Sequence, residues 1–585
     1  MSDLNLFRYY TRLQAYGIGN EQKTTLQAVA ERLFTSPRHA RSLLSQMQEL
    51  GWLSWHPKAG RNQRSALLLN VELPALREAL AFERVKQGKY EKALSLLEYD
   101  QAAFGRLLKN TSGASVQEGR LNIQLTYKRE FERLVPHQLQ RSSERFLLRQ
   151  VYSCLVASDR DGNIKPELAH HWRYDPQLCQ WTFYLRPGLT FHNGQPIDAH
   201  TIVSLFVKLS ALEYYRKELA HVTDVSAPNP VKLVFTLSKP DLGFAGLISG
   251  VKYGIQPASQ VNNANNNLVV GCGPFSVMEH NSHRLKLGAF DGYYGCRVLT
   301  DSVTIWIVED EKMESPSLAA TTLKAEASGE GDMCHHALSL PSADTVLASQ
   351  QSRVEDGCLF ALFNHNAKHA LSPMQRRYVS QLIQPEYLAA VLHGANTSFA
   401  SIPASNLLSS WQPVLRPGAD VDKLPKSIRI AGYNYTALKR CARAIQIILA
   451  EVGCRVEIVL YSYRELNERA RNGTLDETLV VTNINLDDNR HASLFQNLYS
   501  NALLDHALGE AHATWLDHHL EFIRAKTPLN EYLHAIEPIV STLVSEYWMV
   551  PMFHHTQTLR FQGVLEDVAL TNWGWPDIRS VWVAD

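Results

Sequence analysis

The chain has no long apolar run, no paired cysteines and no excess of either charge. Without a stretch of about 18 apolar residues, no segment is expected to cross a bilayer as a helix. The opening residues, MSDLNLFRYYTRLQAYG, lack the basic start, apolar stretch and small-residue cleavage site of an export signal, so a cytoplasmic protein without a membrane partner is expected. The eight cysteines, at 154, 179, 272, 296, 334, 358, 441 and 454, include no C-x-x-C pair. That excludes the common zinc and redox spacings and leaves free thiols as the expectation. Basic and acidic side chains balance at 58 each. Enzyme signatures are missing too: there is no G-x-S-x-G, no P-loop and no dinucleotide fingerprint. The glycine-rich turn GEGD at 329–332 lacks the strand and helix that such a loop requires. Four adjacent histidine pairs (170–171, 335–336, 518–519 and 554–555) do not fall at metal-binding intervals. Neither catalysis, nor a metal, nor a cofactor is expected.

What is present is an uneven distribution. Within residues 1–66, nine Lys/Arg face four Asp/Glu, so the remaining chain is slightly acidic. Any nucleic-acid contact is therefore expected at the N-terminal end. The same region carries a helix–turn–helix pattern. Thr24 or Thr25 caps a helix through Leu26, Val29, Ala30 and Leu33; Ser36-Pro37 then supplies an N-cap with proline at the first helical position. Ala40, Leu43, Leu44, Met47 and Leu50 give the second helix its apolar face, and Gly51 ends it. The opposite face, with Ser36, Arg38, His39, Arg41, Ser42, Ser45 and Gln46, suits a recognition helix, because Arg and Gln pair with base edges in the major groove. A hairpin follows, whose tip HPKAGRNQR brings Lys58, Arg61 and Arg64 to a wing that would touch phosphates. The alternative is a small helical domain whose basic face is merely solvated.

Residues 72–110 read as an amphipathic helical connector, interrupted at 87–89, that would dimerise, pack on the body or transmit a change in it. From about Arg120 strands and helices mix. LNIQLTY, QWTFYLR and KLVFTL read as strands, and SERFLLRQVYSCLV as a helix. At 585 residues, several lobes or domains are expected.

Two stretches of the body resemble family 5 solute-binding proteins, the oligopeptide and dipeptide binders. The first is GNIKPELAHHWRYDPQLCQWTFYLRPGLTFHNGQPIDAHTIVSLFVKL; the second is GCGPFSVMEHNSHRLKLGAFDGYYG, with Cys272 where threonine is usual and Tyr294 where tryptophan is usual. With the winged helix in front, and with PHQLQRSSERFLLRQVYSCL and NWGWPDIRSVWV, the whole chain is similar to the SgrR family of bacterial regulators. The resemblance implies a multidomain fold: an α+β winged helix–turn–helix domain (1–70), a helical connector (71–115), and a two-lobed α/β binding domain of the periplasmic type (116–585). Lobe I would span about 116–337 and 485–585, and lobe II about 338–484. Gly188, Gly194, Gly271 and Gly273 beside the aromatic strands are expected to serve tight turns or close backbone approach.

In the family's peptide binders an aspartate that follows a tryptophan on the return crossover holds the ligand's amino terminus. Asp487 matches that aspartate, but Ile484 stands at the tryptophan, so a peptide ligand is not favoured. Asn483, Asn485 and Asp487 instead suit hydroxyl groups. Across the cleft, Arg141 and Ser142, with Glu144 and Tyr152 nearby, are candidates for holding a phosphate, and Asn364 lies where the family has a cleft-facing strand. The alternative for 141–145 is a solvated helix start. The resemblance thus implies a non-enzymatic, ligand-responsive transcriptional regulator. Its partners would be double-stranded DNA, a sugar phosphate or related metabolite, and a second copy of the chain in a homodimer. The competing reading is a solute- or oligopeptide-binding protein whose N-terminal domain contacts other proteins.

Overall fold

The computed structural model describes residues 3–58, 64–86, 89–100, 103–105, 107, 113–117, 119–127, 129–263, 268–307, 334–338, 348–394, 401–416, 418, 423–562 and 565–583. The chain divides into two compact units, Met1–Thr111 and Ser112–Asp585. No helix among the described residues is long and apolar enough to cross a membrane.

The first unit runs α1 (Asp3–Leu13), β1 (Gln22–Thr24), α2 (Leu26–Leu33), α3 (Pro37–Glu49), β2 (Leu53–His56), β3 (Ser65–Leu69), α4 (Leu73–Lys86) and α5 (Tyr90–Leu96). Thr25 caps α2, its hydroxyl accepting from the Ala28 N–H at 3.1 Å, and Ser36 caps α3 by accepting from the His39 N–H at 3.3 Å. Phe34 makes the turn between them in the left-handed region, at φ 53°. The strands pair in the order β1-β3-β2, so β3 of the hairpin is the central strand of a small sheet and β2 an edge. The helix α1 and the strand β1 were not anticipated. Leu6, Phe7, Tyr10 and Leu13 give α1 one apolar stripe, which packs with Val29, Leu33, Leu43, Leu44 and Met47. The Tyr10 hydroxyl donates to the carbonyls of Trp52 (3.0 Å) and Val71 (2.7 Å), tying α1 to both ends of the hairpin. Leu73 and Leu76 of α4 enter this same core.

The second unit contains three larger sheets. In the first, β6 (Ala169–Asp175), β7 (Gln180–Leu185), β8 (Val222–Asn229) and β9 (Lys232–Leu237) stand in the order β8-β9-β7-β6, all antiparallel. The second joins β4 (Gly113–Gln117), β5 (Arg120–Tyr127), β10 (Phe275–His280), β11 (Arg284–Ala289) and β12 (Thr300–Ile307) as β10-β11-β12-β5-β4, with β12 and β5 parallel. The third follows β13 (Cys334–Leu338), β19 (Met549–Gln562), β15 (Gly357–Phe363), β18 (Leu479–Asn485), β16 (Ser427–Tyr433) and β17 (Arg455–Tyr461), with β14 (Ala348–Val354) also paired to β19. Here β16 runs parallel to both β17 and β18. The run GCLFALF of β15 is buried throughout, as expected of a strand covered on both faces. Residues beyond the expected lobe limit at 485 share its core: Leu494, Phe495, Leu504, Ile536 and Leu543 pack with Leu359, Phe360, Ile430 and Leu449. Val568, Trp573, Trp575, Ile578 and Val581 instead join Ile123, Phe146, Val303 and Ile305.

The glycine-rich signature has a steric cause. A Cβ on Gly271 would overlap the Val151 carbonyl, and one on Gly273 would lie 2.6 Å from the Gln150 carbonyl. Next to them, His192 Nδ1 accepts from the Gly271 N–H at 3.2 Å and Nε2 donates to the Gly273 carbonyl at 3.0 Å. These contacts fix segment 271–273 against the end of α6 (Ser142–Val151), and α6 carries one wall of the cleft described next.

Candidate functional site

The first unit offers one surface that fits the expected reader. On α3, Arg38, Arg41, Ser42 and the cap Ser36 are exposed, while Ala40, Leu43, Leu44 and Met47 are completely buried. His39 and Gln46 are half-buried. The His39 ring packs edge-on against Tyr9, with centroids 6.0 Å apart, and Gln46 donates to Ser42 at 3.3 Å. Lys58 and Arg64 are exposed at the two ends of the wing, and Arg61 lies outside the described residues. Phe34 in the turn is 83% exposed with the Arg12 guanidinium 5.3 Å above its ring, an aromatic–cation pair that the sequence reading did not single out.

The second unit contains a cleft of about 930 Å³. Arg141 and Ser142 line it from the start of α6, and Asn483, Asn485 and Asp487 line it from the end of β18 and the segment that follows. The Arg141 guanidinium lies over two tyrosine rings, 5.6 Å from Tyr433 and 5.5 Å from Tyr463, which meet edge-on at 5.1 Å. These rings stand at the carboxyl end of β16 and at the start of α8, taking α7 as Thr436–Glu451 and α8 as Tyr463–Arg471. Ligands gather at the carboxyl ends of parallel strands in such sheets, and the two parallel strands β16 and β17 deliver four tyrosines there: 433, 435, 461 and 463. The Arg141 Nε and the Ser142 hydroxyl have no hydrogen-bond partner among the described residues.

The charges of the cleft are lopsided. Arg129, Arg141, Arg145, Lys252, Lys439 and Arg471 line it against Glu218, Glu355 and Asp487. Lys252 pairs with Glu218 at 2.8 Å and Arg145 with Asp487 at 2.7 Å. Arg129 forks onto Glu144, at 2.5 and 2.7 Å. Arg141, Lys439 and Arg471 make no ion pair among the described residues. Burial opposes the Arg145 charge, yet Asp487 more than compensates and holds the guanidinium above its ordinary range.

Asp487 is held through one carboxylate oxygen and its backbone. Its Oδ1 accepts from Arg145 Nε at 2.7 Å and from Trp573 Nε1 at 2.8 Å, and its N–H donates to Ser493 Oγ at 3.0 Å. Asn483 accepts from the Tyr433 hydroxyl at 2.5 Å. Three further candidates lie off the cleft. Glu144 is completely buried in its pair with Arg129. The Tyr152 hydroxyl, also buried, donates to the Leu134 carbonyl at 2.8 Å. The Asn364 amide donates to the carbonyls of Leu475 and Glu477, at 3.0 Å each. Each serves the fold at the place where the structure puts it. The tyrosines, Glu355, Gln557 and Trp573 went unnoticed in the sequence. The spacing Tyr-x-Tyr after two successive strands, at 433–435 and 461–463, was the available signal.

Comparison with known proteins accounts for both units. Residues 5–119 match the family described as sugar transport-related sRNA regulator N-term, and residues 163–381 match bacterial extracellular solute-binding proteins, family 5 middle. HTH-type transcriptional regulator SgrR of Yersinia pestis (strain Pestoides F) is 29% identical over 593 residues, covering 100% of this chain and 99% of the relative. Its counterpart in Photorhabdus laumondii is 29% identical over 591 residues, with the same coverage. The chain is thus similar over its whole length to the SgrR regulators.

Solved structures place the second unit in the family 5 fold. A dipeptide-binding protein from Pseudoalteromonas sp. SM9913, in complex with Met-Leu, superposes with TM-score 0.63 at 15% identity, covering 79% of this chain and 100% of that one. AgaA from A. tumefaciens R10, in complex with agropinic acid, gives TM-score 0.60 at 18% identity, covering 79% and 99%. The relatives of this chain are named as regulators and solute-binding proteins, not as enzymes.

Proposed function

We propose that this chain is a cytoplasmic DNA-binding regulator whose second unit senses a small hydroxylated anion, a sugar phosphate or related sugar, and thereby sets DNA affinity. The observation that supports it most is the charge of the cleft. Arg141, Lys439 and Arg471 face it without ion-pair partners among the described residues, whereas one oxygen of the carboxylate that would receive a peptide's amino terminus already accepts from Arg145 and Trp573. An anion gains from the unpaired cations, and tyrosine faces with amide side chains suit a sugar body. The exposed polar face of α3 supports major-groove reading, with Lys58, Arg61 and Arg64 supplying phosphate contacts.

Thermal unfolding of the full chain with glucose 6-phosphate, glucose, inorganic phosphate and trialanine tests the ligand class. A ligand at 100 times its Kd adds about 2.7 kcal/mol to the unit that binds it. Stabilisation by glucose 6-phosphate but not by trialanine is expected; stabilisation by trialanine alone sinks the reading. DNA binding is tested by its salt dependence. A steep fall in affinity between about 50 and 200 mM salt is expected, and weak, salt-insensitive binding favours a protein-contact role for the first unit.

A further inference from the structure

We propose that Asn485 Oδ1 and Gln557 Oε1 form a hydroxyl-reading pair, oriented by Glu355, that selects hydroxyl-bearing ligands over bare anions of equal charge. Both amides line the cleft, as does Glu355, and both are tied to that one carboxylate. Asn485 Nδ2 donates to Glu355 Oε2 at 3.2 Å, and Gln557 Nε2 donates to the same oxygen at 3.0 Å. Gln557 Nε2 also donates to the Asn572 carbonyl at 3.1 Å.

A carboxylate only accepts, so each amide must turn its nitrogen toward Glu355 and its oxygen away. The flipped orientation would set a carbonyl oxygen against the carboxylate and forfeit these bonds. Both oxygens are left buried and without a partner among the described residues, although Gln557 is only 2% exposed. An acceptor withdrawn from water without a donor is costly, and a ligand hydroxyl relieves the cost. The Asn485 backbone is fixed as well: its carbonyl accepts from Arg145 Nη2 at 2.6 Å, and the same guanidinium holds Asp487. Anionic oxygens are repelled by this pair, so the ligand's anionic end belongs with Arg141 and Lys439 and its hydroxyls with the amides. The assignment rests on the anionic-ligand reading above and adds to it the chemical group that gives selectivity. Glu355 is then a positioning residue.

The test is calorimetric titration of the full chain with glucose 6-phosphate, hexyl phosphate, inorganic phosphate and glucose. Hexyl phosphate matches the charge of the sugar phosphate without its hydroxyls, so the wild-type chain alone gives a result. It is expected to bind at least about tenfold more weakly than glucose 6-phosphate. Asn485→Ala and Gln557→Met are each expected to weaken glucose 6-phosphate about tenfold and to leave inorganic phosphate unchanged. Glu355→Gln, which removes the orienting carboxylate, is expected to shrink the preference for glucose 6-phosphate over hexyl phosphate. Equal affinity of the two phosphates for wild type overturns the pair while leaving the anionic reading intact. Binding of glucose, sensitive to both amide variants and without any phosphate affinity, overturns the anionic reading and upholds the pair. Binding of no hydroxyl-bearing probe overturns the pair outright.

Discussion

Arg145 donates to Asp487 through Nε at 2.7 Å and to the Asn485 carbonyl through Nη2 at 2.6 Å. One guanidinium from α6 thus binds both one oxygen of the carboxylate and the backbone at the end of β18. Asp487 is 4% exposed, so removing its partner leaves a buried carboxylate with the Trp573 indole as its remaining side-chain donor. Arg145→Met is expected to destabilise the second unit by about 2–4 kcal/mol. The double variant with Asp487→Leu is expected to recover most of that loss. Urea unfolding of the two single variants and the double variant measures the coupling, and additive losses would contradict it.

Arg141 differs because its charge is not neutralised by a neighbouring carboxylate. Its guanidinium lies near the rings of Tyr433 and Tyr463, and Arg141→Ala is expected to weaken glucose 6-phosphate about ten- to hundredfold with little change in unfolding midpoint. Arg141→Lys restores the charge but not the planar fork, and recovers only part of the affinity. Titration calorimetry beside thermal unfolding separates the two effects.

On the reader, Arg38→Ala or Arg41→Ala is expected to cost about 1–3 kcal/mol in specific binding and to relax preference at one base pair. Lys58→Ala or Arg64→Ala is expected to weaken all sequences alike and to flatten the salt slope by about one unit each. Anisotropy titrations against duplexes selected from a random pool distinguish these patterns. A wing variant that changes only sequence preference would reverse the roles given to helix and wing.

His192 supplies a pH prediction. Burial lowers its pKa to about 4, against the hydrogen bond to the Gly273 carbonyl, and the neutral ring accepts the Gly271 N–H at Nδ1. The unfolded chain, with an ordinary histidine pKa near 6.5, takes up the proton first as pH falls. The neutral ring's contribution is therefore fully present above about pH 6.5 and is lost on acidification toward pH 4, by about 2 kcal/mol between pH 7 and pH 5. His192→Gln is expected to flatten that slope in urea unfolding measured at both pH values; an unchanged slope contradicts the assignment.

The N-terminal helix–turn–helix was legible because its signals are local. Ser36-Pro37 starts a helix wherever it falls before an apolar stripe, and Ala40, Leu43, Leu44 and Met47 mark the buried face by spacing alone. The helix α1 has the same kind of stripe, yet residues 1–17 were weighed only as an export signal. The cleft was half legible. Arg141, Ser142, Asn483, Asn485 and Asp487 meet there because a family pattern placed two distant segments opposite each other. Glu144 and Tyr152 sit on the same helix or just past its end, but the helical turn points them inward, toward Arg129 and the Leu134 carbonyl. Partners so distant in sequence as Arg145 and Asp487, or Glu355 and Gln557, leave no periodic trace. Only the crossing of the strands brings them together.

The central claim is that occupancy of the cleft changes DNA binding, and it is tested most directly by DNA affinity of the full chain with and without glucose 6-phosphate. Anisotropy titration of a pool-selected duplex, at a sugar-phosphate concentration that saturates the thermal shift, gives the ratio. The account predicts a change of about fivefold or more, with the reciprocal change in sugar-phosphate affinity when DNA is bound. Equal DNA affinity in both conditions would contradict it.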